Sequence, residues 1–145
     1  MNRRNVQKKK EKKLINKISK TDNEWKKELS LEQYNVCRKK DTEKPFTGIY
    51  WDSKDRGIYK CICCGLELFS SETKFDSGTG WPSFFKPLNN DNIEHVKDTN
   101  CGMLRTEVNC KKCGAHLGHV FDDGPQPTNL RYCVNSVSLR LDKLD

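Results

Sequence analysis

A mainly β fold is predicted, with a short helical segment before it and a metal staple within it. Three observations carry this reading. Beyond Gly48 the chain breaks into short runs rich in β-branched and aromatic residues, separated by turn signals. Before Pro45 the apolar residues are instead spaced for one or two short helices. Two Cys-x-x-Cys-Gly knuckles, Cys61 to Gly65 and Cys110 to Gly114, interrupt the β-like part.

Residues 1–20 read as a basic, disordered tail, and residues 21–145 as a single domain. The chain carries a net charge of +7 over 145 residues. Arg3, Arg4, Lys8, Lys9, Lys10, Lys12 and Lys13 against Glu11 account for +6 of it, so the remainder is nearly neutral. Such a tail can touch nucleic acid or acidic membranes, but a solvating role is the plainer expectation. No stretch approaches the roughly 20 apolar residues of a membrane span. No apolar core follows the basic start, so a secretory signal is not expected. Organelle targeting by the tail is left open.

From Asp22 to about Lys39, the residues Trp25, Leu29, Leu31, Tyr34 and Val36 fit a short amphipathic helix or two. Ser30 with Gln33 three residues on has the form of a capping box. Pro45 and Gly48 end this segment. The runs GIYWDS, GIYKCICC, LELFSS, GMLRTEVNC, HVFDDG and YCVNSVSLRL then read as strands, with turns at Asp55-Arg56-Gly57, Asp76-Ser77-Gly78 and Asp123-Gly124-Pro125. The last run alternates as one half-buried antiparallel strand would.

In each knuckle the glycine after the second cysteine lets the chain turn back toward both sulfurs. Cys61, Cys64, Cys110 and Cys113 together make a tetrathiolate site suited to one Zn²⁺. All coordination positions would be filled by protein, so the zinc is expected to be structural. The spacer, residues 65–109, is longer than in a single zinc ribbon, so each knuckle belongs to a different hairpin. Metal binding and folding would then be coupled, by on the order of 10 kcal/mol. Cys63 competes with Cys64 as a ligand; the following glycine favours Cys64. A metal site and the lack of a signal segment point to a reducing, cytoplasmic setting.

Four cysteines remain: Cys37, Cys63, Cys101 and Cys133. Cys133 has Arg131 two residues before it and Asn135 two after, so on a strand all three share a face. An arginine there lowers a thiol pKa; a buried, inert packing cysteine is the alternative. His116 and His119, three apart, could supply a proton near neutral pH, or be simple surface residues. His95 stands alone and reads as a surface residue. Two glycines and a proline frame Trp81 in DSGTGWPSF, as a flat wall for a ligand or as a loop anchor.

DSGTGWPSF, GMLRTEV, AHLGHVFDDGP and RYCVNS, threaded between the two knuckles, resemble the B-type methionine sulfoxide reductases over roughly residues 30–142. The resemblance implies two twisted antiparallel sheets and reduction of methionine-R-sulfoxide, in proteins and as the free amino acid. It places the nucleophile at Cys133, the substrate-pocket tryptophan at Trp81, and the histidines at His116 and His119. Arg131 and Asn135 become supporting polar residues; Cys61, Cys64, Cys110 and Cys113 become the zinc ligands. It further implies a sulfenic acid on Cys133, resolved by a second thiol to a disulfide that thioredoxin exchanges away. One departure stands out. Many family members carry the resolving cysteine where this chain has Thr79. Cys37 is the first candidate to replace it, since some members place an alternative thiol in that stretch; it would swing over from a flexible lead-in. Cys101 is the second, and direct reduction of the sulfenic acid is a third route.

Two other functions compete. A zinc-ribbon module with a nucleic-acid-binding tail explains the knuckles but not Cys133 or Trp81, so nucleic acid is not expected as a partner. A zinc hydrolase would need an open coordination position. A monomer is expected.

Overall fold

The computed structural model describes residues 15–144. The basic run over residues 1–13 therefore lies outside the described residues. Residues 15–20 form neither helix nor strand, yet Ile18 packs on the core and its N–H donates to the Lys112 carbonyl at 2.7 Å.

Two capped helices follow. In α1 (Asp22–Glu28) the Thr21 side chain accepts from Glu24 N–H while the Glu24 carboxylate accepts from Thr21 N–H. In α2 (Leu31–Lys39) Ser30 and Gln33 form the same reciprocal box, as the sequence predicts. The segment is not a loose lead-in, which corrects the sequence expectation. Trp25, Tyr34, Val36 and Cys37 are buried, and Arg38 stacks over the Trp25 ring at 4.3 Å while donating to the Cys113 carbonyl at 2.9 Å.

The fold is mainly β, as expected, with two antiparallel sheets. Strands β1 (Gly57–Cys61), β2 (Glu67–Ser70) and β9 (Leu139–Lys143) form a three-stranded sheet in the order β2-β1-β9. Strands β3 (Lys74–Phe75), β4 (Ser83–Phe84), β5 (Ile93–Asp98), β6 (Arg105–Cys110), β7 (His116–Phe121) and β8 (Arg131–Val134) form the second, in the order β3-β4-β8-β7-β6-β5. Aromatic rings from both sheets make the core between them. Phe69 of β2 stacks on Phe84 of β4 at 4.5 Å, Tyr59 of β1 meets Phe84 edge-on at 5.2 Å, and Tyr132 of β8 lies 5.7 Å from Phe69.

Two sequence expectations fail. GIYWDS is a set of turns, not a strand. YCVNSVSLRL is not one strand: β8 stops at Val134, a 3₁₀ turn covers Ser136–Ser138, and β9 continues in the other sheet. The chain changes sheets at Asn135, where hydrogen bonds to sequence-distant segments outweigh the alternating pattern. Asn135 N–H and Nδ2 both donate to the Leu117 carbonyl, at 2.8 and 2.9 Å, and Oδ1 accepts from Glu43 N–H at 3.0 Å.

β7 and β8 approach closely because Gly118 has no side chain; a Cβ there would collide with the Cys133 carbonyl oxygen. Gly118→Ala is expected to destabilise the fold by about 3 kcal/mol, since backbone on both strands must yield. Urea unfolding of the two proteins measures this, and equal midpoints would contradict it.

Candidate active site

Register on the larger sheet assembles the site. Cys133 on β8 is the cross-strand partner of His119 on β7 and of Ser83 on β4. Arg131 and Cys133 share the half-buried face of β8, while Tyr132 and Val134 turn into the core. A cavity of about 270 Å³ opens over this face, and Cys133, His116, His119, Trp81, Arg131 and Asn135 all line it, with Thr79, Arg105 and Phe121. The candidate residues named from the sequence, cysteine partners aside, thus meet in one place.

Each is held by a specific contact. Trp81 Nε1 donates to the Glu43 carbonyl at 3.0 Å, so the loop is fixed through the segment before β1 and not by its glycines and proline alone. Glu43 is itself buried; its N–H is the one bound by Asn135, and its Oε1 accepts from Val137 N–H at 3.0 Å. Burial pushes the Glu43 carboxyl up. Asn135 lines the cavity, yet both ends of its amide are spent on backbone. Arg131 lies against the Phe121 ring at 4.4 Å and pairs with Asp123 through Nε at 2.9 Å and a second nitrogen at 3.2 Å.

The Cys133 thiol is pushed up from its ordinary pKa, because burial is the largest influence. Arg131 and the Thr79 hydroxyl pull it down without reversing this. The arginine acts as the sequence reading expects, but burial, which the alternative reading of Cys133 named, outweighs it. Thr79 Oγ1 also bonds Ser77 Oγ at 2.7 Å, which bonds Ser83 Oγ at 2.7 Å, making a short hydroxyl chain beside the thiol.

The histidines have carboxylate partners that the sequence did not flag. His116 Nδ1 meets Glu107 Oε2 at 2.7 Å, both side chains only 4% exposed. His119 Nε2 meets Asp98 Oδ2 at 2.8 Å. Desolvation, the largest influence, lowers the His116 pKa despite Glu107. The His119 hydrogen bond is the first cause holding the Asp98 carboxyl down at about 2. The β6–β7 pairing brings Glu107 to His116, and the β5–β6 pairing, invisible to local pattern, adds Asp98 beside His119. His95 is exposed, with Nε2 3.1 Å from the Tyr132 hydroxyl.

Cys61, Cys64, Cys110 and Cys113 bring their sulfurs within 4.8 Å of one another. Cys61 and Cys113 are 3.6 Å apart, as are Cys64 and Cys110. Metal–sulfur bonds of about 2.3 Å place tetrahedral thiolates about 3.8 Å apart, so the four fit a metal ion such as Zn²⁺. The knuckles are built alike: Gly65 (φ 81°) donates to the Cys61 carbonyl and Gly114 (φ 76°) to the Cys110 carbonyl, each at 2.8 Å.

Cys37 is not brought to Cys133. Its thiol donates to Ser138 Oγ at 3.6 Å and faces a second recess beside Arg38, Cys113 and His116. His116 borders both recesses and stands as the wall between them. The side chain of Cys101 lies outside what the structure describes. None of the seven described cysteines forms a disulfide.

The SelR domain family matches residues 29–143 of this chain. The chain belongs to this family of B-type methionine sulfoxide reductases. Among the relatives, the peptide methionine sulfoxide reductase MsrB of Acinetobacter baumannii is 61% identical over 127 residues, 88% of this chain and 91% of its own length. Its namesake in Acinetobacter baylyi is 60% identical over the same shares, and that of Hahella chejuensis 56% over 131 residues, 90% and 94% of the two chains. The SelR match spans both knuckles and every residue named in the cavity.

Two outcomes are expected. Cys64→Ser should lose bound metal while Cys63→Ser keeps one equivalent, by elemental analysis; retention in Cys64→Ser would remove that ligand. The raised thiol pKa should make alkylation of Cys133, followed by peptide mass spectrometry, climb with pH beyond about 9, above the ordinary thiol range. A plateau below that pH would contradict the burial effect.

Proposed function

We propose that the protein reduces methionine-R-sulfoxide, in peptides and as the free amino acid, back to methionine, with Cys133 as nucleophile. The observation that carries this is the shared cavity: the thiol is cross-strand to His119 and faces Trp81. Membership of the SelR family agrees with it.

The sulfoxide is polarised, with positive sulfur and negative oxygen. Trp81 and Phe121 offer apolar surface to the S-methyl group, which fixes the epimer. Cys133 Sγ attacks the sulfur, and Arg131 and the Thr79 hydroxyl favour its thiolate against the cost of burial. The oxygen takes a proton, assigned to His119 because burial favours the neutral form of His116. General-acid help of this kind contributes roughly 10²–10⁴-fold. Methionine departs, and Cys133 is left as a sulfenic acid. Asn135 keeps β8 and the Trp81 segment in register. The four knuckle cysteines hold one structural zinc, which takes no part in the reaction.

Thr79 sits beside Cys133, the position from which a cysteine could condense directly with the sulfenic acid. Here the second thiol is Cys37, with Cys101 as runner-up. Because Cys37 is buried on α2, behind His116, α2 must leave its seat before the disulfide closes. Thioredoxin then restores both thiols. The protein works as a monomer in the cytoplasm, where its cysteines stay reduced, and the basic run over residues 1–13 acts as a solvating tail; the tail expected over residues 1–20 is shorter, because Ile18 already packs on the core.

Single turnover with the R and S sulfoxides separately, read by mass spectrometry, tests the scheme. Cys133→Ser should abolish reduction. Cys37→Ser should keep single turnover and lose thioredoxin-coupled turnover, and adding Thr79→Cys should restore it. Normal reduction by Cys133→Ser would end the proposal, and unchanged coupled turnover in Cys37→Ser would remove Cys37.

A further inference from the structure

The two cavity histidines commit different ring nitrogens to their carboxylates. His119 uses Nε2 toward Asp98, and His116 uses Nδ1 toward Glu107. Neither carboxylate lines the cavity. Asp98 closes β5, paired in register with Arg105 on β6, whose guanidinium reaches Asp98 Oδ2 at 3.3 Å. Glu107 lies on β6 directly across from His119, and Lys40 Nζ bonds its other oxygen at 3.2 Å.

A carboxylate can only accept, so the ring nitrogen facing it carries the hydrogen. Asp98 stays ionised throughout the neutral range, its carboxyl being held at about 2. Glu107 has Lys40 as a standing counter-charge. Each histidine then keeps one nitrogen free, and the free nitrogen differs between the two.

We propose that Asp98 and Glu107 are positioning residues that lock His119 and His116 in opposite tautomers, so that His119 offers Nδ1 to the substrate and His116 offers Nε2. This rests on the reading of His119 as proton donor. When His119 is charged, Nε2–H stays on Asp98 and the proton delivered to the sulfoxide oxygen leaves from Nδ1. The Nε2–H tautomer remains afterwards, already bonded, so the ring need not turn between cycles. His116, buried and neutral with Nδ1–H on Glu107, presents Nε2 as an acceptor, suited to a hydroxyl or ammonium group near the reacting oxygen. Two histidines three residues apart thereby do opposite work.

The test uses the full-length, metal-loaded protein with ¹⁵N-labelled histidine, in long-range proton–nitrogen spectra at about pH 8.5, where imidazoles are neutral. His119 should carry its proton on Nε2 and His116 on Nδ1. In Asp98→Ala, His119 should lose its single tautomer while His116 keeps its own. The single-turnover rate should fall roughly ten-fold or more while KM stays within about two-fold, because Asp98 itself does not line the cavity. Asp98→Asn, which retains an oxygen acceptor, should recover part of the rate. A wild-type His119 protonated on Nδ1 would overturn the proposal. So would an Asp98→Ala protein with unaltered tautomer, whether or not its rate falls. A wild type without Cys133-dependent single turnover would end the reductase reading instead, and the spectra would still decide the tautomers.

Discussion

The four-sulfur cluster is the constraint on which the rest depends. Cys61 ends β1 in the smaller sheet and Cys64 lies in the turn after it, while Cys110 ends β6 in the larger sheet and Cys113 lies in the turn to β7. Sulfurs this close tie the sheets together at one end, while the Phe69–Phe84 stack ties them in the middle. His116 begins β7 three residues after Cys113, so the cluster sets the height of β7, and the β7–β8 register then sets Cys133 against His119. A metal ion shared by the four sulfurs would strengthen this tie by on the order of 10 kcal/mol, without requiring a large core from a chain so rich in charge.

The site is a balance of opposed electrostatic influences. Burial disfavours a thiolate at Cys133 and a charged ring at His116, whereas Arg131, Thr79, Glu107 and Asp98 favour charge or fix it. Several of these groups are spent in part on other partners: Arg131 on Asp123 and Phe121, Glu107 on Lys40, Asp98 on Arg105. The result is a set of titratable groups held in place by opposed influences, none of them left to a single partner.

Much of this was readable in the residues. The Ser30–Gln33 box, the paired Cys-x-x-Cys-Gly turns and the shared face of Arg131 and Cys133 are local features, and local rules find them. What was missed is non-local. β5 is an edge strand with a mostly exposed, charged pattern, and nothing in IEHVKD marks its pairing with β6. Without that pairing Asp98 has no visible partner, and Glu107 finds His116 only once β6 is laid against β7. The break at Asn135 was hidden because alternation continued through Ser136–Ser138, while the deciding bonds run to Leu117 and Glu43. The net direction at Cys133 needed burial, which neighbouring residues do not disclose.

Asn135 has a consequence of its own. Its amide nitrogen is a donor to one carbonyl and its amide oxygen an acceptor from another segment's N–H. An aspartate of the same shape would point an anion at the Leu117 carbonyl, and a glutamine would overreach. The position is therefore expected to resist even isosteric exchange, because both ends of its amide are spent on backbone. Selection on catalysis and selection on architecture would leave the same fingerprint there, and only the bonding pattern tells them apart.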